Sequence, residues 1–233
     1  MNFLKNHEQL LKYKNLHNEE ICYIVATGKT FNAFKMQEEG SIIGVNLIIK
    51  SEKILNNPNF KYYFFGHGYK YNHSVWKDNK EIVDKLKIDK FCFPKSGRGS
   101  LNDHGFVNED LNKFDDKNTL LLELNNVDIH KNIDKNPFIN HSIVYSACQF
   151  ALYAGFKKIY LVGCDCSNFH GSGNQYFLNN DSITPEYEND IQKSLITWWG
   201  KMFEFKNKEY PNSKIININP IGLKGKMDQD IYT

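Results

Sequence analysis

The sequence predicts an α/β protein: a Rossmann-like, mostly parallel sheet with helices on both faces and a polar lid loop at one edge. Three observations carry this. Apolar runs of strand length recur with helical or loop segments between them, and such alternation builds parallel sheets with right-handed crossovers. The runs are continuous rather than alternating, as suits strands covered on both faces. One of them, Phe156-Lys157-Lys158-Ile159-Tyr160-Leu161-Val162, follows an amphipathic helix and ends in Gly163-Cys164-Asp165-Cys166-Ser167. In open α/β sheets ligands bind outside the carboxyl ends of the strands, so a tip loaded with a carboxylate and a serine marks a candidate site rim.

Taken in order, residues 1–20 read as a polar N-terminal helix carrying Leu4, Leu10, Leu11 and Leu16. They lack the continuous apolar core of a signal peptide. Ile21 to Ala26 is the first strand, followed by Thr27-Gly28-Lys29-Thr30. Ser41 to Asn46 is the second, and Tyr62 to Phe65, leading into Gly66-His67-Gly68, the third. Phe91 to Phe93 before Pro94 gives a fourth, and Thr119 to Glu123 a fifth. A helix spans about Asn140 to Gly155: Ile143, Ala147, Phe150, Ala151 and Ala154 recur at helical spacing, Ser142 or Asn140 can cap it, and Gly155 stops it. After the strand at Lys158 to Gly163, a second helix begins near Pro185, with Thr184 as cap. Its buried face is expected to carry Ile191, Leu195, Trp198, Met202 and Phe205. Lys214 to Ile218 is the last strand.

Two segments read as irregular, Lys95 to Asn118 and Ser167 to Pro185, both rich in Gly, Asn, Asp and Ser. Loops this long in a compact domain usually serve function, and 167–185 is assigned as a lid. No internal repeat or linker divides the chain, so residues 1–233 are read as one domain.

The bulk properties exclude several classes. The chain has 233 residues, 29 basic and 27 acidic, for a formal charge of +2. That mixed balance lacks the one-sided basic field of a nucleic-acid binder. No apolar stretch approaches the roughly 20 residues that span a bilayer. Five cysteines, Cys22, Cys92, Cys148, Cys164 and Cys166, are an odd number in mostly apolar contexts, a pattern of buried thiols in a reducing compartment. A cytoplasmic protein is expected, with association at the inner face of a membrane left open.

Thr27-Gly28-Lys29-Thr30 ends in the letters of a phosphate-binding P-loop, but that motif needs a glycine where Tyr23 stands. A shorter glycine turn can still hold a phosphate or nucleoside against backbone N–H groups, or simply reverse the chain. Asn46 can read a base or ribose edge, since a carboxamide both donates and accepts; it can equally form a turn. His67 lies between two glycines that allow close approach. Ser142 opens a helix, where anions are favoured, and is open to phosphate contact or plain capping. The Cys164-Asp165-Cys166 run, even with His141 and His170, matches no common zinc spacing, so no metal is expected. Asp165 is open to three roles: general base, ligand of a hydroxyl, or cap of its own loop. His170 has the residue type for proton transfer near neutrality. Tyr176 and Tyr187 follow where they can close over a ligand phosphate.

The order Tyr23-Ile24-Val25-Ala26-Thr27-Gly28-Lys29-Thr30-Phe31, then Gly44-Val45-Asn46, then Ser142-Ile143-Val144-Tyr145 through Gly155 to Asp165, resembles the family once called domain of unknown function 115. That family includes archaeal 6-hydroxymethylpterin diphosphokinase-like (MptE-like) proteins and bacterial sugar-transfer proteins. The same order resembles glycosyltransferase family 42, bacterial sialyltransferases with a Rossmann-like domain and a lid. The resemblance covers roughly residues 20–220 and is strongest at 141–167. In the sialyltransferase-like pattern the first turn reads Gly-Asn-Gly-Pro-Ser; here Ala26, Thr27, Gly28, Lys29 and Thr30 stand in those places, and Thr27 replaces a donor-holding asparagine. Asn46 matches the second nucleotide-contacting asparagine, Ser142 the helix-start serine near the donor phosphate, and His170 stands in for the lid base.

The resemblance implies a transferase, a glycosyltransferase using a nucleotide-sugar donor, with a CMP-linked sugar as one option and a surface glycan as acceptor. Thr27, Gly28, Lys29, Asn46, Ser142 and Tyr176 would bind the nucleotide, and His170 or Asp165 would act on the acceptor hydroxyl. No cofactor would be obligatory. The alternatives are an ATP-dependent diphosphokinase of the 6-hydroxymethylpterin type, which would need Mg2+ and carboxylates such as Asp165, Asp103 or Asp181, and a non-catalytic nucleotide-binding module.

Overall fold

A computed structural model describes residues 4–18, 20–36, 38–66, 79–93, 118–122, 124–125, 128–139, 142–166 and 185–233. Among these, eight strands form one parallel sheet in the order β10-β9-β8-β1-β2-β3-β4-β5. They are β1 (Ile21–Val25), β2 (Ser41–Val45), β3 (Phe60–Gly66), β4 (Asp89–Phe93), β5 (Thr119–Leu121), β8 (Lys158–Val162), β9 (Lys214–Ile218) and β10 (Gln229–Ile231). A separate parallel pair joins β6 (Leu124–Asn125) to β7 (Phe138–Ile139). The α/β prediction is met, with β6, β7 and β10 as additions.

All strands of this sheet except the edge strand β10 are covered on both faces, which is why their runs are continuous. Along β3, Tyr62 and Phe64 enter one core layer while Tyr63 and Phe65 enter the other. Along β1, Cys22 and Ile24 face the first layer and Tyr23 and Val25 the second. The first layer is closed by α4 (Ile143–Ala154) and α5 (Pro185–Glu209). The second is closed by short elements: the 3-10 helices Lys29–Ala33 and Asn46–Lys50, α2 (Glu52–Leu55) and α3 (Lys80–Lys85).

Strand order gives the architecture its functional geometry. From β1 the chain steps outward through β2, β3, β4 and β5, then returns to place β8 on the other side of β1. The reversal therefore falls between β1 and β8, the position at which doubly wound sheets open a ligand crevice.

One helix differs from expectation. The N-terminal segment is a single α turn, α1 (Leu4–His7), followed by a 3-10 helix, Glu8–Tyr13. Three residues per turn bring His7, Leu10 and Tyr13 onto one buried stripe and leave Leu11 exposed. In α5 the expected face packs on the first layer: Met202 is buried, Leu195, Trp198 and Phe205 are partly buried against it, and Trp199 and Lys206, which were not expected, are buried beside them. Lys206 is buried there because Asp228 meets its ammonium with both oxygens at 2.9 Å.

Candidate functional site

The β1 and β8 tips are welded together. Beyond the ladder, the Ala26 amide donates to the Val162 carbonyl and the Gly28 amide to the Gly163 carbonyl, both at 2.8 Å. Gly163 lies at φ +64, and a side chain there would strike the Ala26 carbonyl at 2.5 Å. Asp165 turns toward β1. Its Oδ2 accepts the Thr30 amide at 3.1 Å, its Oδ1 accepts the Thr30 hydroxyl, and the Lys29 amide also bonds it. Thus a carboxylate caps the short helix that begins at Lys29, one strand away.

Asp165 is only 7% exposed. Burial pushes its carboxyl above the usual carboxylate range, and the bonds from Thr30 and Lys29 oppose that rise without cancelling it. Gly28 makes the arrangement possible, since a Cβ there would stand 2.4 Å from the Gly163 carbonyl oxygen and 2.6 Å from the Asp165 carboxyl carbon. On the far side, the Gly222 amide donates to the Asp165 carbonyl at 2.8 Å. A Cβ on Gly222 would lie 1.9 Å from the Cys166 carbonyl oxygen. Sequence reasoning missed this third wall, the turn after β9; its only signal was a glycine two residues beyond Pro220.

The neighbouring tip belongs to β2, which pairs with β1 through Val25 and Gly44. Asn46 follows it at φ +48, a conformation asparagine tolerates better than most residues. Its Oδ1 accepts the Gly66 amide at 3.1 Å, and its carbonyl accepts the Tyr63 hydroxyl at 2.8 Å. Asn46 therefore joins the β2 and β3 tips. Thr27 is half-buried between these points and Lys29 is exposed.

Ser142 reaches the same edge from α4. The helix ends at Gly155, in the left-handed region, with the paired 5→2 and 6→1 bonds of a Schellman stop. That stop feeds the amino end of β8, so twelve residues of helix carry Ser142 about 18 Å back toward the carboxyl edge. There the Ser142 hydroxyl accepts the Val144 amide at 3.4 Å, a long capping bond.

Thr27, Gly28, Lys29, Asn46, Ser142 and Asp165 thus share the carboxyl edge, with Gly28, Lys29 and Asp165 in direct contact. His67, His141, His170 and Tyr176 lie outside the described residues. Cys164 and Cys166 flank Asp165, and burial pushes both thiols up, Cys166 to about 12. Among the described residues, no three His, Cys, Asp or Glu side chains converge as metal ligands would.

The solved structures that the chain resembles include two sialyltransferases of Campylobacter jejuni. One is CstII, in complex with the substrate analogue cytidine-5'-monophosphate: 15% identity over 86% of this chain and 80% of that one, at a TM-score of 0.48. The other is the monofunctional alpha-2,3-sialyltransferase Cst-I: 16% identity over 85% of this chain and 75% of that one, at 0.46. At these scores the likeness says nothing of donor or acceptor. No protein-family model and no curated protein matches the chain. No helix among the described residues is long and apolar enough to cross a membrane.

Proposed function

We propose that this protein is a glycosyltransferase that binds a nucleotide-sugar across the carboxyl edge, between the β1 and β2 tips and the start of α4. The observation that carries the reading is the strand-order reversal between β1 and β8, with Thr27, Asn46 and Ser142 gathered around it. The sequence order over residues 20–220, resembling sialyltransferases of family 42, supports sugar transfer as the chemistry and a CMP-linked sugar as donor.

In this reading Asn46 reads the nucleoside with its carboxamide, and Ser142 meets the donor phosphate at the helix start, where N–H groups and the macrodipole favour negative charge. The acceptor hydroxyl oxygen attacks the anomeric carbon and the bond from that carbon to the phosphate oxygen breaks. Its electron pair leaves with the nucleotide, and the hydroxyl proton passes to a base. His170 is the proposed base. Both carboxylate oxygens of Asp165 are engaged by Thr30, so they face the protein rather than an incoming hydroxyl. The same engagement disfavours the diphosphokinase alternative, which asks Asp165 to help hold magnesium.

Thermal-shift assays with CMP, UDP, GDP and ATP test the reading. CMP is expected to raise the melting temperature most and without magnesium. Stabilisation by ATP alone, dependent on magnesium, would transfer the assignment to the diphosphokinase; stabilisation by none would end it.

A further inference from the structure

In dinucleotide-binding and P-loop sites the turn after the first strand turns its N–H groups toward the phosphates of the ligand. Here those groups are already committed. The Gly28 amide bonds the Gly163 carbonyl, and the Lys29 and Thr30 amides bond the Asp165 carboxylate. A carboxylate offers the same charge sign and the same paired oxygens as a phosphate edge. It is buried, and its own backbone is pinned from the other side by Gly222. Gly28 supplies the space the carboxylate occupies.

We infer that Asp165 is a positioning residue, an internal anion that fills the first-turn cradle and keeps a ligand's phosphate off it. The turn therefore meets the ligand with the side chains of Thr27 and Lys29, and Thr30 is the residue through which Asp165 sets their geometry. This deepens the donor reading by stating which part of the donor lies against β1: its uncharged nucleoside or sugar, not its phosphate. The donor-side consequences rest on that reading; the exclusion of anions from the turn does not.

The test has two arms. In the first, the wild-type chain is titrated with inorganic phosphate while the backbone amide signals of Lys29 and Thr30 are followed by NMR. No saturable movement of either is expected; saturable movement overturns the inference whether or not any nucleotide binds. In the second, nucleotide and acceptor kinetics are compared for Thr30→Val, which keeps the shape and loses the hydroxyl, and Thr30→Ser, which keeps the hydroxyl. Thr30→Val is expected to raise the donor KM by about fivefold or more with acceptor KM unchanged, and Thr30→Ser to stay within about twofold of wild type. Equal donor KM for the two variants contradicts the positioning role, as does a matching rise in acceptor KM. Failure of the donor reading looks different: no nucleotide stabilises the wild-type chain, and the phosphate arm still decides.

Discussion

The Asp165 carboxylate and the Thr30 hydroxyl meet across two strand tips, and that contact sets how much each side chain is worth. A hydrogen bond to a charged, buried acceptor contributes about 1.5–3 kcal/mol, so Thr30→Val should lower unfolding free energy by about 2 kcal/mol in urea denaturation. The contact also has a pH signature. Because burial raises the folded pKa of Asp165, its contribution to stability is fullest below the ordinary carboxylate value and declines as pH rises through the raised value. Glu38 runs the other way. The Tyr160 hydroxyl and then Lys158, at 2.9 Å, hold it below its ordinary value, so its contribution is present above that value and is lost as pH falls through the lowered one. Urea unfolding from about pH 3 to 7 should therefore lose its acid-side fall in Glu38→Gln and its decline toward neutrality in Asp165→Asn. Sequence alone named Asp165 but not its direction: residue type gives the carboxylate, and only the β1–β8 register brings Thr30 to it.

The elements carrying the site are held by aromatic packing. Phe150, on α4, stands 4.9–5.4 Å from the rings of Tyr13, Tyr62, Phe64 and Phe91, joining the N-terminal 3-10 helix, β3 and β4 to the helix that presents Ser142. Phe150→Ala should cost about 3–5 kcal/mol in urea denaturation. The turn after β9 is equally constrained: Gly222→Ala must push a side chain into the Cys166 carbonyl and should cost about 3 kcal/mol by the same measurement. The helix α4 was legible because its apolar residues recur at helical spacing between a serine cap and a glycine stop. The N-terminal segment was not, since its leucines suit a period of 3.6 while tertiary packing of His7, Leu10 and Tyr13 selects a period of three. In α5 the core-facing residues were legible from their spacing, but Lys206 was not, because a lysine reads as solvated until Asp228 is placed beside it.

At the scale of the whole molecule, the parallel sheet was legible from continuous apolar runs separated by helices and loops. The strand order was not, since it depends on pairings between strands distant in the chain, and β10 has only three residues of weak pattern. Order is what matters for function: it puts the reversal between β1 and β8 and draws Gly28, Asn46, Ser142 and Asp165 to one edge. The opposite, amino edge offers its own depression of about 340 Å³, lined by Glu20, Ile21, Glu39, Gly40, Ser41 and Asn59. Two carboxylates there repel a phosphate, so the two edges make opposite predictions for a nucleotide. A crystal structure of the chain with CMP decides between them. The account predicts the nucleotide at the carboxyl edge, touching Thr27, Asn46 and Ser142; a nucleotide seated beside Glu20 and Ser41, or against the amides of Lys29 and Thr30, would contradict it.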